Sequence, residues 1–318
     1  GGNLFSSPSW LRAVAETYDL VPRARILNDV NGKPLAGLAY CDVEGLLGHR
    51  RVSFPFSDFQ SPLGDPGTAA SVVESLVEDL PVRFRIPEHQ LPPLNQDMFD
   101  PFVRSLVHHV IEVPELDEAA LFAGLKSQAR QNIRKSRRSD VKVHLSTDLE
   151  AVRRFYDLHL AVRTSKYRLL PQPFSFFESI HREFADERLL VALAQLDGRD
   201  IAGVLYLEHG DTLYYKFNAS AADDLGVRPN EQLLFTGMLQ CRERNLRAID
   251  LGVSDIDQPG LIRYKRKFAE VEQEIVTVSA HPLTSPETVP STNTADISRT
   301  LSELTTLLTD ERVPASIV

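Results

Sequence analysis

Two stretches of this chain gather cations where chemistry or phosphate binding is possible. In the C-terminal half, Gly260-Leu-Ile-Arg-Tyr-Lys-Arg-Lys-Phe268 sets Lys265 directly after an aromatic, Tyr264. An ammonium there can face a developing oxyanion or contact a phosphate, and Arg263 to Lys267 can equally be the solvated face of a helix. Upstream, Lys126, Arg130, Arg134 and Arg138 recur every fourth residue, with Lys135 and Arg137 beside them and no acid between. This spacing stacks positive charge on one helical face, which suits a row of phosphates; a solvated face is the alternative.

Among the acids, Asp250 ends a short apolar run and reads either as an amine ligand or as a structural acceptor. Asp58 lies among aromatics in Pro55-Phe-Ser-Asp-Phe-Gln-Ser-Pro-Leu-Gly64, where a proline-stiffened turn explains it equally well. His108-His109 has no partner ligands in the sequence and reads as structural, so no metal site is expected. A Walker loop, a dinucleotide fingerprint, a Gly-x-Ser-x-Gly elbow and His-Glu-x-x-His are all missing, which removes the usual support for nucleotide hydrolase, dehydrogenase, esterase and zincin activities.

The elements that must position these residues follow from periodicity. Apolar runs at 190–196, 201–207 and 212–217, separated by Asp197-Gly198-Arg199-Asp200 and His209-Gly210-Asp211, predict an antiparallel meander. Leu234, Met238 and Cys241 then recur at helical spacing, with Asn230 placed as the cap and Asn245 near the end. A buried strand at 248–252 precedes the helix carrying Lys265 and a last strand at 274–280. Tyr215 and Asn218 fall at the end of the third strand. Upstream, helices are expected at 7–18, 68–80, 116–140, 147–160 (opened by a Thr147-to-Glu150 capping box) and 174–184. Strands are expected at 23–27, 34–41, 51–54, 82–86 and 141–145, with Asn31-Gly32 as a hairpin turn. Arg163-Thr-Ser-Lys-Tyr-Arg168 leads to Pro171 and Pro173, which begin a surface loop.

The sequence Gly-Arg-Asp-Ile-Ala-Gly-Val (198–204), the tyrosine pair of Asp-Thr-Leu-Tyr-Tyr-Lys (211–216), Arg-Pro-Asn (228–230), Ile-Asp-Leu-Gly (249–252) and the basic segment (260–268), in that order, resembles the second domain of Fem-type acyltransferases. The resemblance is strong over 116–280 and weaker upstream. It implies an α/β (α+β) protein of tandem GNAT-like domains, each a mixed, mostly antiparallel sheet flanked by helices, with the strand at 248–252 parallel beside the third strand of the meander. The expected division is an abbreviated domain at 1–112, a catalytic domain at 113–280, and a linker plus amphipathic helix at 281–318, marked by Ile297, Leu301, Leu304 and Leu308.

Members of that family attach amino acids from aminoacyl-tRNA to amines, so the resemblance implies an acyltransferase forming an amide on a small-molecule or peptide-like amine. Lys265 would stabilise the transition state, and Tyr264, where others carry phenylalanine, would stack on the terminal adenine. Tyr215 and Asn218 would orient substrates where the sheet splays; as ordinary strand residues they are equally well explained. Asp58, whose loop borders the acceptor site in relatives, joins Arg163, Lys166, Asn230 and Asp250 as substrate-binding candidates; Lys126, Arg130, Arg134, Lys135 and Arg138 are the tRNA candidates. Coenzyme A in this fold is ordinarily cradled by a Gly-rich turn at a helix N-terminus. Here the turn reads Gly226-Val-Arg-Pro-Asn-Glu231: Pro229 lacks an N–H, and Glu231 puts negative charge where the pyrophosphate would sit. No cofactor is expected beyond the donor. An acyl-coenzyme A N-acyltransferase and a non-catalytic anion- or RNA-binding protein are the alternatives.

Composition sets the outer bounds. The 318 residues, 42% hydrophobic and 25% charged, are enough for two domains, and the net charge of −9 argues against a protein that coats nucleic acid while leaving room for a local basic row. Cys41 and Cys241 fall in different halves, so neither a disulfide framework nor a zinc spacing is expected. With no spanning apolar run and no signal-peptide pattern, a cytoplasmic setting is expected.

Overall fold

The computed structural model describes residues 2–45, 48–166 and 169–281. Two compact units emerge. The first takes the chain up to His108, Val253–Pro259 and the segment from Glu272; the second takes His109–Gly252 and Gly260–Val271. A single boundary near residue 112 does not describe this division, because the chain re-enters the first unit twice.

In the first unit, helix α1 (Pro8–Tyr18) opens with Pro8 at its first position and the Ser7 hydroxyl accepting the Trp10 N–H, and it buries Trp10, Ala13 and Val14. Strands β1 (Pro22–Asn28) and β2 (Pro34–Gly45) form the hairpin expected at Asn31-Gly32. There Gly32 takes a φ of +81°, and Asp29 Oδ1 accepts the N–H groups of Asn31 and Lys33. Strand β3 (Gly48–Val52) runs antiparallel to β2. Helix α2 (Pro66–Glu74), capped by Asp65, is shorter than periodicity predicts, since Ser75 caps it and 76–80 turn away. Strand β4 (Val82–Pro87) lies parallel to β3. Leu38, Tyr40, Val73, Leu76, Phe84 and Ile86 make the core with Val276 and Val278. These last two come from the far end of the chain.

Strand β5 (Val103–Glu112) was not expected, because two histidines and its charges mask the alternation; His108 and His109 are both buried on it. In the second unit, the stretch 116–140 is two helices rather than one: α3 (Glu118–Gly124) and α4 (Ser127–Arg138), broken where Gly124 is followed by an extended Leu125. Strand β6 (Lys142–Ser146) leads to α5 (Leu149–Ala161). Its N-cap is Asp148 without a side-chain bond, because Asp148 is tied to Ser146 instead, so the Thr147 capping box does not form. After a single π-helical turn at Val162–Lys166 and helix α6 (Phe174–Glu183) comes the meander β7 (Leu189–Leu196), β8 (Arg199–His209) and β9 (Thr212–Ser220). Helix α7 (Pro229–Glu243), strand β10 (Ala248–Asp255), helix α8 (Pro259–Lys265) and strand β11 (Val271–Ala280) complete the described chain.

Within the second unit the strands lie in the order β10-β9-β8-β7-β6, antiparallel throughout except that β10 is parallel to β9, as the resemblance to Fem-type acyltransferases implies. Helix α7 covers the sheet around Val204, Tyr206, Leu234, Phe235 and Met238, with α4 packed against α7, while α5 lies against β8 on the side of Gly203, which its Phe155 approaches. Strand β11 pairs instead with β4 of the first unit, from Ile275 opposite Pro87 to Ala280 opposite Val82. Among the described residues no helix is long and apolar enough to cross a membrane. The expected C-terminal helix, with its linker from 282 on, lies outside the described residues.

Candidate active site

The sheet of the second unit opens at one place. The register between β9 and β10 runs from Ala248 opposite Thr212 to Asp250 opposite Tyr214, and it does not extend to Tyr215 and beyond. On its other edge β9 carries a bulge: Leu205 faces Phe217 and Tyr206 faces Tyr215, leaving Lys216 as the extra residue. Bulges re-aim side chains and strengthen local twist, so the half of β9 that holds Tyr215 and Asn218 turns away from β10.

Lys265 is positioned against the end of β10. Helix α8 buries it to 6% exposure, and Nζ donates to the Gly252 carbonyl at 2.9 Å. Gly252 itself takes a φ of +66°, and its N–H is held by Asp250 Oδ1 at 2.7 Å. Asp250 therefore acts as a structural acceptor that shapes the turn whose carbonyl receives Lys265. The Gly252 carbonyl thus takes one of the three N–H donors of this buried ammonium.

Beside it lies a buried polar cluster that joins three helices and two strands. The Glu231 carboxylate, 4% exposed, accepts from Asn132 Nδ2 of α4 at 2.7 Å and lies 3.4 Å from Lys267 Nζ. Lys267 Nζ also stands 5.3 Å from the centroid of the Tyr264 ring. Burial, and secondarily the Tyr215 hydroxyl and the Glu231 charge, holds the Tyr264 hydroxyl well above its ordinary pKa; burial, then Glu231, does the same for Tyr215. Both stay protonated, as neutral donors. The Tyr264 hydroxyl is close enough to Tyr215 to affect its titration, yet among the described residues no acceptor meets it with good hydrogen-bond geometry. Tyr215 rests edge-on against Tyr206, whose hydroxyl is spent on the Leu233 carbonyl.

The start of α7 differs from its expected cap. Arg228, in the left-handed conformation at φ 62°, is the N-cap and offers no side-chain bond, and Pro229 is the first helical residue. Asn230 sits one position further on, where its Oδ1 accepts from Ser220 Oγ at 2.7 Å and Asn218 Nδ2 at 3.2 Å; Asn218 also donates to the Gly203 carbonyl. Asn218 and Asn230 are thus brought together across β9 and α7.

Residues 123–266 match the family model described as an acetyltransferase (GNAT) domain. This segment has the GNAT fold. Among solved structures the chain is similar to FemX (14% identical, TM-score 0.64, over 86% of this chain and 92% of that one). It is also similar to the C-terminal domain of a protein named as a lysylphosphatidylglycerol synthetase, from Agrobacterium fabrum (14% identical, TM-score 0.57, over 84% and 86%). A third is L-PGS from Bacillus licheniformis (11% identical, TM-score 0.54, over 96% and 98%). At such identities the likeness is one of fold, and the α/β GNAT architecture expected from the sequence is the one found. No curated protein matches.

The remaining expected residues spread out. The basic row is partly committed: Lys126 lies at the N-cap of α4 with Nζ 2.5 Å from the Arg266 carbonyl, and Arg130 donates to the Ala123 and Leu125 carbonyls at the end of α3. Arg134 stacks on Phe122, whereas Lys135 and Arg138 are exposed. Arg163, in the π-turn, donates to the Leu170 carbonyl at 3.3 Å; the Lys166 side chain lies outside the described residues. In the first unit, Asp58 Oδ2 accepts the N–H of Val253 at 3.3 Å, a backbone group far along the chain. Sequence reasoning missed Asn132 and Lys267, and it treated Glu231 only as a charge. An apolar helix face interrupted by Asn132 was the one available signal.

Proposed function

We propose that this chain is an N-acyltransferase that moves an aminoacyl group from aminoacyl-tRNA to the amine of a small-molecule or peptide-like acceptor. One observation carries the choice of donor. The third residue of α7, where the pyrophosphate of coenzyme A is ordinarily received in this fold, is a buried glutamate already satisfied by Asn132 and Lys267. An incoming pyrophosphate would meet that charge, and Pro229 withholds an N–H from it. An aminoacyl ester on an RNA end needs no such cradle. The exposed Lys135 and Arg138 suit its phosphates, and among the fold neighbours is a synthetase named for joining lysine to phosphatidylglycerol.

The chemistry is aminolysis. The neutral amine attacks the acyl carbon, the carbonyl electron pair moves onto oxygen, and the acyl–oxygen bond to the ribose then breaks. The proton lost by the amine ends on the leaving hydroxyl. Lys265 is placed to neutralise the oxyanion. Tyr215 and Tyr264, held protonated by burial, supply hydroxyl donors, and Asn218 with Asn230 orients the substrates where the sheet opens. Supplying the purified protein with charged tRNAs and acyl-coenzyme A species, each with an amine panel, tests the reading. Discharge of an aminoacyl-tRNA with acyl-coenzyme A untouched is expected; the reverse pattern would overturn it. Charge reversal at Lys135 and Arg138 should abolish salt-sensitive tRNA binding.

A further inference from the structure

Helix α8 is only seven residues long, too short to hold its own shape, so the forces that place its last residue, Lys265, come from its surroundings. Beyond Lys265 the chain makes one further turn. The N–H groups of Phe268 and Ala269 donate to the Lys265 carbonyl at 3.0 and 2.9 Å, and both side chains are buried in the core of the second unit. The two residues in between carry polar ties. Lys126 Nζ, from the N-cap of α4, donates to the Arg266 carbonyl, and Lys267 Nζ lies 3.4 Å from Glu231 Oε1 of α7.

The same carboxylate oxygen accepts from Asn132 Nδ2 at 2.7 Å, so Glu231 joins α4 to α7 and fastens both to Lys267. Lys267 Nζ also lies 5.3 Å from the centre of the Tyr264 ring, whose face attracts a cation, and Tyr264 directly precedes Lys265. The residues on either side of Lys265 are thereby linked to one buried carboxylate. Ion pairs at the surface, such as Arg247 with Asp211, are exposed at both ends and screened by water, so they orient little. Glu231 is 4% exposed, where screening is weak and the loss of its charge leaves Lys267 without a counter-ion inside the fold.

We propose that Glu231 is a positioning residue for Lys265: through Lys267 and Tyr264 it fixes the turn from which the Lys265 ammonium reaches the Gly252 carbonyl. The use of a placed Lys265 in catalysis rests on the acyl-transfer reading; the placement itself does not, and it can be read with no donor present. Brief acetylation of the full chain with the N-hydroxysuccinimide ester of acetic acid, followed by peptide mapping, gives the reaction rate of each lysine, with exposed Lys142 as internal standard. Lys265, 6% exposed and bonded to Gly252, should react slowly in the unmodified chain. Glu231→Gln keeps the size of the side chain and an acceptor for Asn132 but removes the charge; it should raise the Lys265 rate about fivefold or more, and Lys267→Met should do likewise. Because both changes remove one tie, the double variant should exceed neither. Melting curves establish that each variant is folded; if Glu231→Gln is not, Lys267→Met decides. In single turnover with a charged tRNA at saturation, the same variants should lose rate by roughly 10- to 100-fold while donor affinity changes little, a split that a merely structural brace would not produce. Lys265 labelling within about twofold of the unmodified chain in the folded variants, or additive effects of the two changes, would overturn the role. Faster labelling in variants of a chain that discharges no donor would remove the acyl-transfer reading and leave the placement by Glu231 standing.

Discussion

At the scale of the residue, Lys265 carries the sharpest expectation. Its ammonium is desolvated and fixed, the condition under which a cation opposite a developing oxyanion gains most. Lys265→Ala should lower the single-turnover rate at saturating donor by roughly 100- to 1000-fold while donor affinity changes little, and Lys265→Arg should recover part of the loss. A rate within a few-fold of the unmodified chain would remove Lys265 from the chemistry. His159 offers a test of a different kind. Ringed by Phe155, Tyr156, Phe177 and Phe217, its imidazole is driven down to about 4, chiefly by burial and also by Arg163, against the bond to Gln172. The unfolded chain therefore takes up the proton first as pH falls. The stability associated with neutral His159 is complete above about 6.5 and drains away towards 4, by roughly 3 kcal/mol in all. Denaturation series across that window should show this slope, and His159→Phe should flatten it. Lys265 and Tyr264 were legible in the sequence because they adjoin one another in a basic run. Glu231 and Asn132 are 99 residues apart and meet only through helix packing, so no local pattern announces them.

The elements of the second unit were the most legible part of the chain. Hairpin turns and alternation locate the meander, because each strand there is set by its immediate neighbours. Breaks within helices were not: the division between α3 and α4 depends on Leu125 turning into the core, which a charge pattern does not register. The approach of α7 to the sheet depends on a single glycine. A Cβ on Gly237 would fall 2.5 Å from the Tyr206 hydroxyl and 2.7 Å from the ring carbon bearing it, and that hydroxyl is tied to α7 through Leu233. Gly237→Ala should destabilise the fold by about 1–3 kcal/mol through overpacking. Combining it with Tyr206→Phe, which removes the nearest atom, should cost less than the two changes added separately. Chemical denaturation of the four proteins of this cycle measures the difference.

For the whole molecule, the consequential feature is that strand β11 belongs to the sheet of the first unit. Its six register pairs with β4 and the burial of Val276 and Val278 make residues 1–112 incomplete as a domain, although their content looked sufficient in sequence. Expressed alone, 1–112 should fail to give a cooperative melt, and adding a peptide spanning 271–281 should improve its solubility; a sharply melting 1–112 fragment would show that β11 is dispensable. The same arrangement matters while the chain is being made. Early domains usually fold as they leave the ribosome, at about 5–20 residues per second. Here β4 must wait for a partner that begins 184 residues after it ends, a delay on the order of ten to forty seconds at those rates. An unpaired strand edge invites aggregation over such an interval, and charged side chains along the edge are a common protection. In the nascent protein, Arg83 and Arg85 would guard that edge before the sheet is complete, a duty that ends when translation does.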